Sequence, residues 1–93
     1  MSDKMVNITL NGSGLPVPSQ DPIEIKKNDQ KIKWCADFQF TVAIEDYSDV
    51  KYSTGSAGCA YEAKTGQFSK AQTYKYSITA NGQTNDPEIV VKP

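Results

Sequence analysis

Apolar and polar residues alternate along most of this chain with the period of two that belongs to strands, and no window repeats apolar residues at helical spacing over more than two turns. The first run is Met5–Leu10 (MVNITL). It gives way to Asn11-Gly-Ser-Gly14 and then to Pro16, Pro18 and Pro22. These prolines suit an edge or a crossover, because proline has no N–H for a central ladder. The segment PIEIKKNDQKIKW, Pro22 to Trp34, reads as a hairpin closed by Asn28-Asp29, two residues that tolerate the positive φ of a tight turn. In that register Ile25 falls opposite Ile32 and Ile23 opposite Trp34, while Glu24 meets Lys33, so one face is apolar and the other charged.

From Ile32 the even positions continue apolar through Trp34, Ala36, Phe38, Phe40, Val42 and Ile44, with Cys35 and Ala43 on the odd face. This run exceeds an average strand, so a bend near Ala36-Asp37-Phe38 is expected to carry the chain from one sheet to the other. Asp46 to Lys70 loses clear alternation and is rich in Ser, Gly, Ala and Tyr; it reads as a long loop with at most a short strand near Ala60–Ala63. Alternation resumes at Thr73–Ala80, and a loop Asn81–Pro87 leads into a closing strand, Glu88–Lys92. The fold class expected is all-β: an antiparallel Greek-key sandwich of two sheets, cupredoxin-like or immunoglobulin-like, forming a single domain over residues 1–93. Its expected core is Ile23, Ile25, Ile32, Trp34, Phe38, Phe40, Val42, Ile44, Tyr76, Ile78 and one of Val90 and Val91.

The cupredoxin half of that expectation comes from a resemblance. PIEIKKNDQKIKW resembles the cupredoxin signature of a strand, a tight turn and a strand ending in an aromatic residue ahead of the first ligand loop. Phe38–Val42 lies where cupredoxins carry a ligand His, and QTYKYSITANGQTNDPEIVVK is similar to their final Tyr-x-Tyr strand, ligand loop and closing strand. The likeness spans about Asp21 to Lys92 and implies a cupredoxin-like sandwich. It does not carry copper with it. A blue-copper site needs imidazoles and a soft thiolate; here Gln39 and Thr41 occupy the first ligand region, and Asn81–Pro87 has no Cys, His or Met.

Composition narrows the chemistry further. The chain has no His, which removes Ser-His-Asp and Cys-His sites and His-ligated metals. Ten Lys stand against eleven Asp plus Glu, a net charge of −1, which offers nucleic acid no electrostatic footprint. No stretch approaches the roughly 20 apolar residues of a membrane span, so no membrane insertion is expected. The start, Met1 to Met5, lacks the apolar core of a signal peptide, which reads as cytoplasmic, or as extracellular or periplasmic if the chain is a mature fragment.

The residues that remain are few. Cys35 and Cys59 are expected to form a disulfide in an oxidising compartment and to stay as inert thiols in the cytosol. Glu45, Asp46 and Asp49 gather at a strand end, where a solvated acidic patch is the ordinary reading ahead of a cation site. Gly55-Ser-Ala-Gly58 lacks the Lys-Ser/Thr of a phosphate loop and reads as flexible. Lys26, Lys31 and Lys33 form an outward stripe on the hairpin. No metal, cofactor or catalytic residue is assigned, and the chain is read as not an enzyme.

Two functional classes stay open. The first is a non-catalytic binding module for an unidentified protein or small ligand. Its recognition loop is Asp46–Lys70, with Tyr47, Tyr52 and Tyr61 as anchors, because Tyr among Ser and Gly supplies rigid aromatic area beside adaptable polar contacts. The alternative is a thiol-disulfide redox-responsive or degenerate electron-transfer protein, which the absence of a Cys-x-x-Cys spacing disfavours.

Overall fold

A computed structural model describes residues 3–56 and 58–93. The first two residues of the chain and Ala57, within the Gly55–Gly58 segment, lie outside the described residues. Ten strands are described: β1 (Lys4–Leu10), β2 (Pro16–Pro18), β3 (Ile23–Lys26), β4 (Ile32–Ala36), β5 (Thr41–Ile44), β6 (Val50–Ser56), β7 (Cys59–Thr65), β8 (Thr73–Ala80), β9 (Gln83–Asn85) and β10 (Glu88–Lys92). Among the described residues there is no helix, so none is long and apolar enough to cross a membrane. One sheet has the order β2-β1-β4-β7-β6; the other has the order β3-β10-β8-β5, with β9 also pairing with β8.

Both sheets are mixed, which corrects the antiparallel expectation. β1 runs parallel to β4 with Val6 opposite Trp34, and β3 runs parallel to β10 with Ile23 opposite Ile89. The same pairings overturn the Pro22–Trp34 hairpin. β3 and β4 stand in different sheets, and the Asn28 turn (φ 57°) is an arch between them. The arch is tied to its surroundings, since Lys27 N–H donates to Lys92 O (2.8 Å) and Asn28 N–H to Phe68 O (2.8 Å). Alternation states which residues point inward, and an arch and a hairpin satisfy it equally. In the arch Ile23 and Trp34 face one core from opposite sheets instead of sitting side by side. Glu24 accordingly pairs with Lys92 (2.9 Å), and Lys33 with Glu62 (2.9 Å). The lysine stripe is divided too, with Lys26 on one sheet and Lys33 on the other.

The bend after Ala36 is present. β4 ends there, residues 37–40 cross, and β5 continues the even parity in the second sheet with Phe40, Val42 and Ile44 buried. The segment Asp46–Lys70 is not a long loop, although the strand expected near Ala60–Ala63 is present within β7. It contains the β6–β7 hairpin, in register from Val50↔Thr65 to Ser56↔Cys59. Its alternation is lost because β6 is an edge strand exposed from Lys51 to Gly55, and because β7 buries adjacent residues, Glu62 and Ala63. The β8–β9 turn is the two-residue Asn81-Gly82 type, both at positive φ (54° and 73°), a conformation whose twist matches that of the flanking strands.

The two sheets bury their apolar residues in one core built around Trp34, Phe68, Ile23, Ile25, Ile32, Ile78 and Ile89. Trp34 Nε1–H donates to the Tyr76 hydroxyl (3.4 Å), and the rings lie 5.4 Å apart, which joins the sheets at mid-core. Burial holds the Tyr76 phenol well above its ordinary pKa. Of the expected core, Phe38 is half-buried at the margin and Val91, not Val90, points inward. Val6, Ile8, Phe68, Tyr74 and Ile89 join it.

Candidate functional site

Cys35 and Cys59 form a disulfide, with Cα atoms 5.5 Å apart. Cys35 follows the buried Trp34 and so leaves the core on the outer face of β4; the bridge holds it to the start of β7. Adjacent strands of one sheet are thereby riveted at the end where the β6–β7 hairpin turns, and Cys59 is itself buried.

Beside this rivet lies a groove of 230 Å³ lined by Gln39, Phe40, Thr41, Tyr52, Ser53, Thr54, Tyr61 and Glu62. One wall is the crossover that leads into β5, and the other is the β6–β7 hairpin. Phe40 is buried beneath it, and Tyr61 is half-buried against the core. Tyr52 spans the two sheets. Its hydroxyl accepts a hydrogen bond from Val42 N–H (2.8 Å) and donates one to Val42 O (2.9 Å), capping one rung of the free edge of β5. The ring remains half exposed at 51%, so it both closes the edge and presents aromatic surface.

Glu62 supplies the groove's charge. Its carboxylate accepts from Lys33 Nζ (2.9 Å) and from Ser53 Oγ (3.1 Å), with Lys64 Nζ at 3.6 Å. The Lys33 hydrogen bond lowers its pKa below the usual carboxylate value against an opposing desolvation. Glu62 is 4% exposed, yet it sits on the outer face of the sheet, opposite Cys35. Lysine chains cover it; it is not sunk in an apolar medium. The group therefore stays anionic and acts as a hub for cations.

Two of the three anchors expected from sequence, Tyr52 and Tyr61, thus meet in one groove. Tyr47 does not. Its ring stacks on Phe68 (centroids 4.1 Å apart) and meets Tyr74 edge-on at 6.4 Å. Burial, and then the Asp49 carboxylate, hold its phenol above the ordinary value. Of the groove's opposite wall, Gln39 to Thr41, the alternation marks Phe40 as a core position but not as part of a site, because the crossover meets the hairpin only through the tertiary fold.

A second hollow of 280 Å³ is lined by Asp3, Lys31, Ile32, Asp49, Lys51, Lys64, Thr65 and Gly66. Its charges are of both signs and stand at a strand end open to water. Glu45, Asp46 and Asp49 do not converge: among the described residues no group of three His, Cys, Asp or Glu side chains is placed to hold a metal ion. No protein-family model matches the chain, and neither a curated protein nor a solved structure matches it significantly.

Proposed function

We propose that the protein is a non-catalytic binding module on a copper-free, cupredoxin-like Greek-key sandwich, and that it recognises its partner through the groove between residues 39–41 and the β6–β7 hairpin. The observation that carries this reading is the convergence of Phe40, Tyr52 and Tyr61 on one concave site rimmed by Gln39, Thr41, Ser53 and Thr54. Aromatic area with a short polar rim is the composition of recognition surfaces. The groove's 230 Å³ falls below the roughly 300–1,000 Å³ of sites that enclose drug-sized ligands, which suits capture of a single side chain or small group. The one carboxylate there is paired with lysine, which suits recognition better than proton transfer. The two parallel strand pairs tell against an immunoglobulin sandwich, whose sheets are antiparallel, and leave the cupredoxin-like type as the one we carry. With Cys59 buried, the disulfide serves better as a strut than as an exchanging redox centre.

Titration with indole as an aromatic probe, followed by amide chemical shifts, tests the reading. Shifts confined to Gln39, Phe40, Thr41 and Thr54, and lost in a folded Tyr61→Ala variant, are the expected result. Shifts scattered over the surface, or retained in Tyr61→Ala, would refute the groove as a binding site.

A further inference from the structure

The strands that end the two sheet orders, β2 and β6 in one and β3 and β5 in the other, are not equally protected. β2 is three residues long with prolines at both ends, and β3 is four residues long and preceded by Pro22. β5 is also four residues long, and the Tyr52 hydroxyl occupies both backbone groups of Val42. Short strands, proline and side-chain covers are the ordinary means of blocking an edge. β6 has seven residues and no proline, and it is exposed from Lys51 to Gly55 with one lysine as its only charge.

The direction of its backbone groups follows from the neighbouring bonds. Gly66 N–H donates to Asp49 O (3.3 Å), while Val50 N–H turns back to Ser48 O (2.9 Å). Hydrogen-bonded and non-bonded pairs alternate along an antiparallel ladder. Lys51 and Ser53 therefore direct their backbone N–H and C=O toward β7, and Tyr52 and Thr54 direct theirs to the open side. Those two residues also line the groove.

We propose that β6 takes up an extended peptide strand, bonded to the main chain of Tyr52 and Thr54, with one apolar side chain of that peptide seated over Phe40 and Tyr61. The side-chain seat rests on the groove reading above, whereas the strand addition rests on the edge alone. An extended chain is the occupant because donors and acceptors repeating every second residue, about 6.8 Å apart, are matched by another strand and not by a helix or a small molecule. A cavity of about 150 Å³ already holds a benzene ring, so the 230 Å³ groove accepts an aromatic or branched side chain. Lys51 makes no ion pair among the described residues and favours an acidic residue at the peptide's flank. A second copy of this chain fits less well, since one seven-residue strand from each partner falls short of the roughly 1,000 Å² that a stable interface buries.

The test uses the full oxidised chain and a capped synthetic nonapeptide of alternating threonine and valine, with a central phenylalanine and a glutamate near each end. Amide hydrogen exchange of Tyr52 and Thr54 is expected to slow by about tenfold when the peptide stands near ten times its Kd, with shifts at Phe40 and Tyr61. Thr54→Pro removes an outward N–H and leaves the β6–β7 ladder intact; it should abolish that protection. Because the variant could disturb folding, the same peptide N-methylated on alternate residues provides a second handle: one methylation register should lose binding and the other keep it. Groove shifts without protection of Tyr52 and Thr54 would overturn strand addition and leave the groove reading standing. Protection without groove shifts would overturn the side-chain seat and the groove reading with it. No protection with the peptide at about 1 mM, the weak end of recognition, would overturn the proposal. So would peptide-independent self-association in sedimentation that Thr54→Pro abolishes, which would assign the edge to a second copy.

Discussion

Replacing Tyr52 by Phe isolates what its hydroxyl does. The change keeps the ring and removes both bonds to Val42, the 2.8 Å bond from its N–H and the 2.9 Å bond to its carbonyl. A protein hydrogen bond contributes about 0.5–1.5 kcal/mol net, so two of them set an upper bound of about 3 kcal/mol. The site is half open, and water can reach the freed groups of Val42. The expected loss is therefore near the lower end, about 1 kcal/mol. In a domain of this size that lowers Tm by about 4–8 °C. Thermal unfolding by circular dichroism measures the loss. Hydrogen exchange at the Val42 amide reports its location, because that N–H has no β8 partner once the hydroxyl is gone. Tyr52→Ala should add the lost packing of the ring on top. A Tyr52→Phe variant with unchanged Tm and unchanged exchange at Val42 would show that the hydroxyl does not join the sheets, and that Tyr52 serves the groove alone.

Trp34→Ala should cost about 3–5 kcal/mol by leaving a cavity between the sheets, which takes a domain of ordinary stability close to unfolding; urea denaturation would read it directly. Reducing the Cys35–Cys59 bridge, which closes a ring with a sequence separation of 24, should lower stability by about 3.5 kcal/mol in the chain-entropy picture; melting with and without reductant checks this. Glu62 has a lowered folded pKa, so its contribution is present above the unfolded carboxylate value of 4.5 and is lost as pH falls through the folded value. Stability measured from pH 6 down to pH 2 should fall by less in Glu62→Gln than in the parent.

Which residues of this chain face inward is legible in its alternation alone. The period of two marks Ile23, Ile25, Ile32, Trp34, Phe38, Phe40, Val42, Ile44, Tyr76 and Ile78, and all but the half-buried Phe38 are buried, because a strand in water must turn every second side chain to whatever apolar surface exists. The crossover after Ala36 and the strands Thr73–Ala80 and Glu88–Lys92 are legible on the same ground. The face opposite Trp34 also puts Cys35 where a bridge can reach it.

What alternation does not encode is the neighbour. Whether β3 pairs with β4 or faces it across the core changes no side-chain parity, so the parallel pairing of β3 with β10 and of β1 with β4 came from tertiary structure alone. The β6–β7 hairpin escaped for a related reason. An edge strand wet on both sides has no apolar period, and Glu62 reads as an outward residue until three neighbours, Lys33, Ser53 and Lys64, are folded over it. The groove inherits both gaps. Tyr52 and Tyr61 stand out by residue type, but the wall that turns them into a concave site, residues 39–41, meets them only because two sheets close on one core.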